Sequence, residues 1–290
     1  ADRWGRTPAH VASARGHVAL AAALADRGGR AAEQKDAFGH TAGGILRVHA
    51  DDSLARPIAE FLAAEMPVQR LFDEFVALSR PVLVRGGAAH VPAAALWADR
   101  ARLAELLGPT PLSVGLVPYA PGRTSATLGD FLAAEGGRPG ASADADPRPY
   151  LFDVSIGRRC ERLLGEVELL PMAERAAHVA YMRLPQLGIG FRGAGAPMHA
   201  HHAALNALFV GSKRWWVAPP AATFWGRGPA ATWAASPSRR VLAAERRVAE
   251  VTQRAGDLLF VPEGWGHATV LDEYCVGVGQ ELIPNSSLSS

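Results

Sequence analysis

Short apolar runs separated by glycine and proline dominate the second half of the chain, from residue 179 onward. The runs read LGIGF, LNALFV, RWWVAPP, DLLFVP, ATVL and YCVGVG. Apolar segments of this length, bounded by turn residues, are typical of β-strands. Several such strands in close succession predict a small all-β barrel or jelly roll.

The stretch before these runs has the apolar spacing of helices, with hydrophobic residues every three or four positions. Over residues 52–78 this spacing predicts two helices broken at Pro67, because proline removes a backbone donor. The sequence RPVLVRGG at 80–87 predicts a short buried strand, and residues 96–107 return to a helical pattern. Residues 135–149 are rich in Gly, Pro and Asp and predict a mobile loop.

The beginning of the chain contains one and a half copies of a repeat. Gly5 and Thr7 recur as Gly39 and Thr41, close to the period of about 33 residues that ankyrin repeats have. The opening DRWGRTPAHVASARGHVALAAALADRG resembles the ankyrin consensus, in which a turn is followed by two packed helices. On this resemblance Thr7 caps the first helix of the repeat.

These patterns divide the chain into three parts. We predict an ankyrin-repeat segment over 1–50, a helical linker over 51–64 and the main domain over 65–285. Because the chain begins inside a repeat and without a methionine, we expect further residues upstream of Ala1. Localisation is undetermined, and the ankyrin segment slightly favours the cytoplasm or nucleus.

Composition and charge exclude several classes of protein. The chain has 290 residues, 49% of them hydrophobic, and its formal net charge of +2 is too small and dispersed to indicate a nucleic-acid or membrane surface. No apolar run approaches the length of a membrane span. Cys160 and Cys275 lie far apart and outside any CxxC spacing, so we expect two reduced thiols.

Three histidines are the candidate chemistry of the predicted barrel. His199 and His201 stand at positions i and i+2 of a predicted strand, so both should face the same side of the sheet and His202 the other. His267 follows the turn PEGWG at the start of another strand. Neutral imidazoles bind Fe(II), zinc, copper or nickel. The alternative is that some of the 10 histidines merely pack together.

Four motifs over residues 65–285 resemble the JmjC (jumonji C) family. They read RPVLVRGG, GFRGAGAPMHAHH, NALFVGSKRWWVAPP and GDLLFVPEGWGHATVLDE, in the family's order and spacing. The resemblance implies a mainly β fold, a double-stranded β-helix of the cupin or jelly-roll type with flanking helices. It also implies Fe(II) as metal and 2-oxoglutarate as cosubstrate.

The resemblance assigns a role to individual residues. His199 and His267 take the two histidine positions of the metal triad, whereas His201 occupies the place of an aspartate or glutamate, as in the H-x-H jumonji subgroup. Lys213 of the motif G-x-K implies an ion pair with the distal carboxylate of 2-oxoglutarate, and Asn206 a further contact to that molecule. Ala196 stands where many members have a serine or threonine that also binds the cosubstrate.

Two of these assignments change what the site is expected to do. An imidazole in place of a carboxylate removes one negative charge from the metal ligands, which should weaken retention of Fe(II). Lys213 is one of only two lysines, Lys35 being the other, among 30 basic residues, which favours a specific role for it. Trp215, Trp216 and Trp265 are interpreted as wall and core residues.

The function implied is an Fe(II)- and 2-oxoglutarate-dependent dioxygenase that acts on a protein side chain, with hydroxylation favoured over demethylation. A protein substrate or partner, bound in part through the ankyrin segment, would then be expected. Two alternatives stay open. One is a catalytically silent interaction module, and the other is a three-histidine metallocupin that does not use 2-oxoglutarate.

Overall fold

The computed structural model describes residues 7–14, 18–28, 34–35, 41–42, 57–118, 123–134, 148–226 and 228–284. Strands form most of the regular structure from residue 179 onward, as the apolar runs predict. The strands are β1 Ala59–Leu62, β2 Val82–Arg85, β3 Leu112–Gly115, β4 Thr124–Ala126, β5 Tyr150–Asp153, β6 Val179–Met182, β7 Gln186–Gly190, β8 Gly195–His199, β9 Ala204–Val210, β10 Ser212–Ala218, β11 Ala249–Arg254, β12 Leu258–Val261, β13 Gly266–Leu271 and β14 Cys275–Pro284.

These strands form two sheets, a larger mixed sheet and a smaller antiparallel one. The larger sheet has the order β1-β2-β12-β9-β14-β7-β5-β3-β4, with β6 pairing on β14 beyond β7. The smaller sheet has the order β11-β10-β13-β8 and is antiparallel throughout. The mainly β prediction is therefore confirmed, and two apposed sheets are the layout of a jelly roll.

The two sheets face each other over a buried apolar layer. Leu259 and Val261 of the larger sheet belong to one cluster with Trp215, Val217 and Val251 of the smaller sheet, and all of them are buried. Alternate residues of a strand point to opposite faces, so the same strands also present side chains outward. The space between the sheets, beyond this layer, is where the candidate site lies.

The helices are α1 Pro8–Ala14, α2 Val18–Gly28, α3 Val68–Leu71 continuing as a π-helical turn over Phe72–Val76, α4 Pro92–Leu96, α5 Arg100–Leu107, α6 Leu128–Ala133, α7 Ile156–Arg159, α8 Glu161–Glu166, α9 Met172–His178, α10 Ala230–Ala235 and α11 Pro237–Ala244. Buried residues of α3 to α8 form the main core with apolar residues of β2, β7, β9 and β14 of the larger sheet. Helix α10 packs instead on β8 and β13 of the smaller sheet, where Ala230 shares a cluster with Met198 and Ala268.

The helix predicted before Pro67 is wrong over residues 59–62, whereas Ala63–Glu65 form a short 3-10 helix and residues 51–56 of the predicted linker lie outside the described residues. Residues 59–62 form β1, which pairs in parallel with β2 and extends the larger sheet by one strand. The apolar spacing of this segment is compatible with a helix or a strand. Hydrogen bonding to β2 stabilises the strand. The second predicted helix is confirmed as α3, which begins directly after Pro67.

The helix predicted over 96–107 is two helices in the structure. The chain leaves the helical conformation after Trp97, and Asp99 then caps α5 by accepting hydrogen bonds from the backbone N–H groups of Ala101 and Arg102. An aspartate at this position satisfies amides that the first turn of a helix leaves without partners. The break therefore comes from a capping residue that the apolar spacing does not register.

At the start of the described chain, α1 and α2 follow the buried residue Thr7. The backbone N–H of His10 donates to the Thr7 hydroxyl at 3.3 Å, which is the predicted cap. The side chain of His10 is itself fully buried against Thr7. The ankyrin assignment stays a prediction, because most of the second copy lies outside the described residues.

Three smaller expectations concern the loop, the cysteines and the membrane. Most of the predicted loop at 135–149 falls outside the described residues, which resume at Arg148. Cys160 and Cys275 are both buried and free, as expected. Among the helices that the structure describes, none combines the length and the apolar character needed to cross a membrane.

Candidate metal centre

A cavity between the two sheets holds the residues that the sequence predicts to be functional. Its empty volume is about 580 Å³, the open mouth included. The smaller sheet contributes His199, Lys213 and His267, and the larger sheet contributes Asn206. His201 reaches the same cavity from the segment between β8 and β9.

The three histidines converge on one point of this cavity. His199 is the last residue of β8 and pairs directly with His267, the second residue of β13. His201 lies beyond the end of β8, so the turn, and not strand alternation, brings its ring alongside. The Nε2 atoms of His201 and His267 are 3.0 Å apart, and one ligand atom from each of the three residues lies within 4.8 Å of the others.

Backbone carbonyl groups orient all three rings. The Nδ1 of His199 lies 2.7 Å from the carbonyl oxygen of Pro197, and that of His267 lies 3.0 Å from the carbonyl of Trp265. The Nδ1 of His201 lies 2.7 Å from the carbonyl of His202. A ring that donates from Nδ1 to a carbonyl keeps Nε2 as an acceptor, which is how metal-binding histidines are held.

Burial also keeps these imidazoles neutral. It lowers the pKa of His199 to about 4, and the neighbouring His201 lowers it further in the same direction. Burial likewise lowers the pKa of His201 and holds the pKa of His267 well below its usual range. Three neutral, oriented nitrogen donors fit a divalent transition metal such as Fe(II), whereas no carboxylate belongs to this ligand group.

Lys213 lies deeper in the cavity and is not a solvated strand end. Its side chain is 4% exposed, and Nζ donates a 2.9 Å hydrogen bond to Oδ1 of Asn206. This bond joins the two sheets, because β9 and β10 belong to different ones. Nζ also lies 4.5 Å from the ring centroid of Trp215, within cation–π range.

Burial lowers the pKa of Lys213 to about 8. At neutral pH the ammonium group therefore remains mostly protonated, and it has no carboxylate partner among the contacts described. A buried cation whose described hydrogen bond is to a neutral amide is suited to an anionic ligand. The site thus has a neutral end made of imidazoles and a cationic end made of Lys213.

The tryptophans are buried, in keeping with their interpretation as wall and core residues. Trp215 lines the cavity and donates from Nε1 to Gln253 at 2.9 Å. Trp216 points to the opposite face and packs edge-on against Trp233. Trp265 belongs to the apolar layer between the sheets. His202, predicted to face away from the site, is exposed and lies 3.8 Å from Glu263.

Five further polar residues that sequence reasoning missed line the cavity, and three of them carry a hydroxyl or a carboxylate group. Tyr150 comes from β5, Thr269 from β13 and Glu281 from β14. Glu281 is 8% exposed, accepts a 3.0 Å hydrogen bond from Gln186, and lies 3.5 Å from Arg183. It is the one acidic side chain among the residues lining the cavity, and its charge raises the pKa of His199 and His201 against the effect of burial. No short motif marks these three residues.

Comparison with known proteins places the same region in one family. The profile of a cupin-like domain matches residues 68–278, which is most of the chain. Human JmjC domain-containing protein 8 is 35% identical over 91 residues, covering 29% of this chain and 32% of that protein. Its mouse counterpart is 36% identical over 87 residues, covering 29% of this chain and 31% of that protein.

A longer alignment involves a plant protein. Arginine-specific demethylase JMJ22 from Arabidopsis thaliana is 25% identical over 247 residues, covering 76% of this chain and 45% of that protein. The matched region therefore spans less than half the length of each of these curated relatives.

Proposed function

This chain belongs to the cupin-like domain family and is related to a JmjC domain-containing protein, and on that premise we propose that it is an Fe(II)- and 2-oxoglutarate-dependent dioxygenase of protein side chains. The observation that carries the proposal is the pairing of three neutral imidazoles with a buried lysine inside one cavity. His199, His201 and His267 would hold the iron, and their H-x-H arrangement favours the corresponding jumonji subgroup.

Lys213 and Asn206 would bind the distal carboxylate of 2-oxoglutarate. The ammonium group is compact, buried and protonated at neutral pH, so it would form a charge-assisted hydrogen bond in a setting of low polarity. Asn206 already fixes the position of Nζ from the opposite sheet at 2.9 Å. Lys213 and Asn206 would thereby position the cosubstrate relative to the three histidines.

When bound, Fe(II) and 2-oxoglutarate would supply an oxidant for a C–H bond, with one dioxygen and one 2-oxoglutarate consumed and succinate and carbon dioxide released. The residues of the cavity would position the reactants. We favour hydroxylation as the outcome. The relative named as an arginine-specific demethylase makes oxidation of an N-methyl group the second candidate, and both outcomes begin with the same C–H oxidation.

The test is anaerobic titration of the Fe(II)-loaded protein with 2-oxoglutarate, followed through the visible metal-to-ligand charge-transfer band. We expect a band in the native protein and a large loss of affinity in Lys213→Ala. Lys35→Ala is the matched control, because Lys35 is the other lysine of the chain and is exposed. Bound iron without any band would contradict the proposal and favour a metallocupin that does not use 2-oxoglutarate.

The silent interaction module makes a different prediction for the same protein. It requires neither tight Fe(II) binding nor any response to 2-oxoglutarate. His201 in place of an acid and Ala196 in place of a hydroxyl are the residues that favour it. A native protein that shows neither Fe(II) binding nor a response to 2-oxoglutarate would favour this alternative over the proposal.

A further inference from the structure

The strand that carries His199 has an irregularity next to the cavity. Along β8 and β13, His199 pairs with His267 and Ala196 with Thr269, so three steps along β8 match two along β13. The extra residue makes a β-bulge, and Pro197 lies within it, where its missing N–H breaks no ladder bond. The bulge changes which residues of β8 and β13 lie opposite each other.

The backbone N–H of Ala196 meets a side chain at this bulge. It donates to the hydroxyl of Thr269 at 3.2 Å. The close approach depends on Gly195, because a Cβ atom there would come within 1.9 Å of the carbonyl oxygen of Thr269. The position of the Thr269 hydroxyl is therefore fixed by two features of β8.

This contact leaves the hydroxyl with a proton to donate. A hydroxyl group has one donor and two acceptor sites, and one acceptor site is used by Ala196. The structure describes no acceptor for the proton of Thr269. The side chain is 4% exposed and lines the cavity, so this proton is available to a ligand bound there.

The position of Thr269 in the sheet indicates which ligand group this is. Thr269 lies directly opposite Trp215 in the ladder between β13 and β10, and the ring of Trp215 lies beneath Nζ of Lys213. Lys213 is thus the diagonal neighbour of Thr269 on the same face, a separation that a bound carboxylate group can bridge. Both donors face the cationic end of the cavity.

We propose that the Thr269 hydroxyl donates a hydrogen bond to the carboxylate held by Lys213, so that β13 supplies the hydroxyl that Ala196 of β8 lacks. This inference rests on the proposed function, because it concerns how the same site binds 2-oxoglutarate. It assigns Thr269 as a cosubstrate-binding residue. It also removes one of the two features that favoured a silent domain.

The test compares two 2-oxo acids that share the metal-chelating group and differ in the distal carboxylate. These are 2-oxoglutarate and 2-oxobutyrate, and their dissociation constants are measured on the Fe(II)-loaded protein without oxygen. For Thr269→Val we expect about a tenfold weaker affinity for 2-oxoglutarate, since one hydrogen bond to a charged group is lost. Binding of 2-oxobutyrate should be unchanged.

Two further variants separate the hydroxyl from the shape of the side chain. Thr269→Ser keeps the hydroxyl and should bind 2-oxoglutarate within about twofold of the native protein. Adding Ala196→Ser to Thr269→Val returns a hydroxyl from the other strand and should recover most of the lost affinity. The Fe(II) dissociation constant of each variant shows whether the metal centre remains intact.

Three results would overturn the inference. If Thr269→Val weakens both 2-oxo acids equally, the residue acts through the structure of the site and not on the carboxylate. If Lys213→Ala loses affinity for 2-oxoglutarate and Thr269→Val does not, the anion site stands and Thr269 has no part in it. If Lys213→Ala binds 2-oxoglutarate normally, the proposed anion site fails and the inference with it.

Discussion

At the histidine end of the cavity, each ligand ring is oriented by a carbonyl group one or two residues away in the chain. At the Lys213 end, the contacts come from Asn206 on the opposite sheet and from the neighbouring Trp215. The rings are oriented by local sequence, and the pairing of β8 with β13 brings His199 and His267 together although they lie far apart in the chain. Asn206 and Lys213 lie seven residues apart on consecutive strands and meet across the two sheets. Strand pairing within one sheet therefore gathers the candidate metal ligands, whereas the apposition of two sheets forms the candidate anion site.

The two ends also differ in charge. Burial keeps the imidazoles neutral at physiological pH, whereas the ammonium group of Lys213 keeps its proton there. A metal cation and an anionic ligand would therefore find complementary surroundings within one cavity. Each end can be altered separately, which allows the contribution of each to be measured.

The largest expected effect comes from breaking the histidine end. His267→Ala should lower Fe(II) affinity by more than about 100-fold, since loss of an outer-sphere partner alone costs 10- to 100-fold. The measurement is competition with a chelator of known affinity. His90→Ala, at an exposed histidine outside the cavity, serves as control. Equal affinity of the two variants would show that the triad does not hold the metal.

The neutral histidines should make the metal-free protein sensitive to acid. The unfolded chain takes up protons on these imidazoles near pH 6.5, whereas His199 in the folded state does so only near pH 4. The free energy of unfolding should therefore be unaffected above pH 6.5 and fall between pH 6.5 and 4, by about 1.4 kcal/mol per pH unit for each imidazole. Urea titrations across this range measure the slope.

A variant isolates the part of this slope that belongs to one imidazole. His199→Gln should unfold with a shallower dependence on pH over the same window, because one proton fewer is taken up on unfolding. Identical slopes in the native protein and His199→Gln would mean that His199 is protonated alike in the folded and unfolded states.

The cationic end should respond to base instead of acid. The pKa of Lys213 is about 8 in the free protein, so affinity for 2-oxoglutarate should be constant below pH 8. Above that value it should fall by up to about tenfold per pH unit, because the ligand then has to recruit a proton to the amine. Affinity for 2-oxobutyrate, which lacks the distal carboxylate, provides the reference that should stay level.

The smallest expected effect comes from replacing Glu281, a carboxylate in the same cavity. Glu281 lines the cavity that contains the three neutral histidines. Its carboxylate adds a negative charge that these candidate ligands lack. Glu281→Gln should weaken Fe(II) binding about three- to tenfold through lost attraction, while the amide can still accept from Gln186. Glu245→Gln, at an exposed site, should leave the affinity unchanged.

Much of the fold could be predicted from the sequence because its strands are apolar runs bounded by turns. The three histidines were equally visible, since they lie in two short motifs, MHAHH and PEGWGH. Strand β1 was mistaken for helix, because Phe61 and Leu62 continue an apolar spacing that both elements share, and only pairing with β2 distinguishes them.

The site residues that the sequence did not reveal reach the cavity through strand register. Thr269 reaches the cavity beside Ala196 through a bulge, and Glu281 reaches it because β14 pairs with β9. Neither arrangement leaves a pattern in the local sequence. His201 was expected on a strand and lies in the turn that follows, so its place beside His267 comes from the path of that turn.

Strand β14 has a consequence for the timing of folding during synthesis. It is the last strand in the described residues, yet it lies between β9 and β7 in the middle of the larger sheet. Until residues 275–284 leave the ribosome, β9 and β7 each lack the strand that lies between them in the finished sheet. Until then the nascent chain exposes the unpaired edges of β9 and β7 together with apolar surface. Both features favour chaperone binding and aggregation.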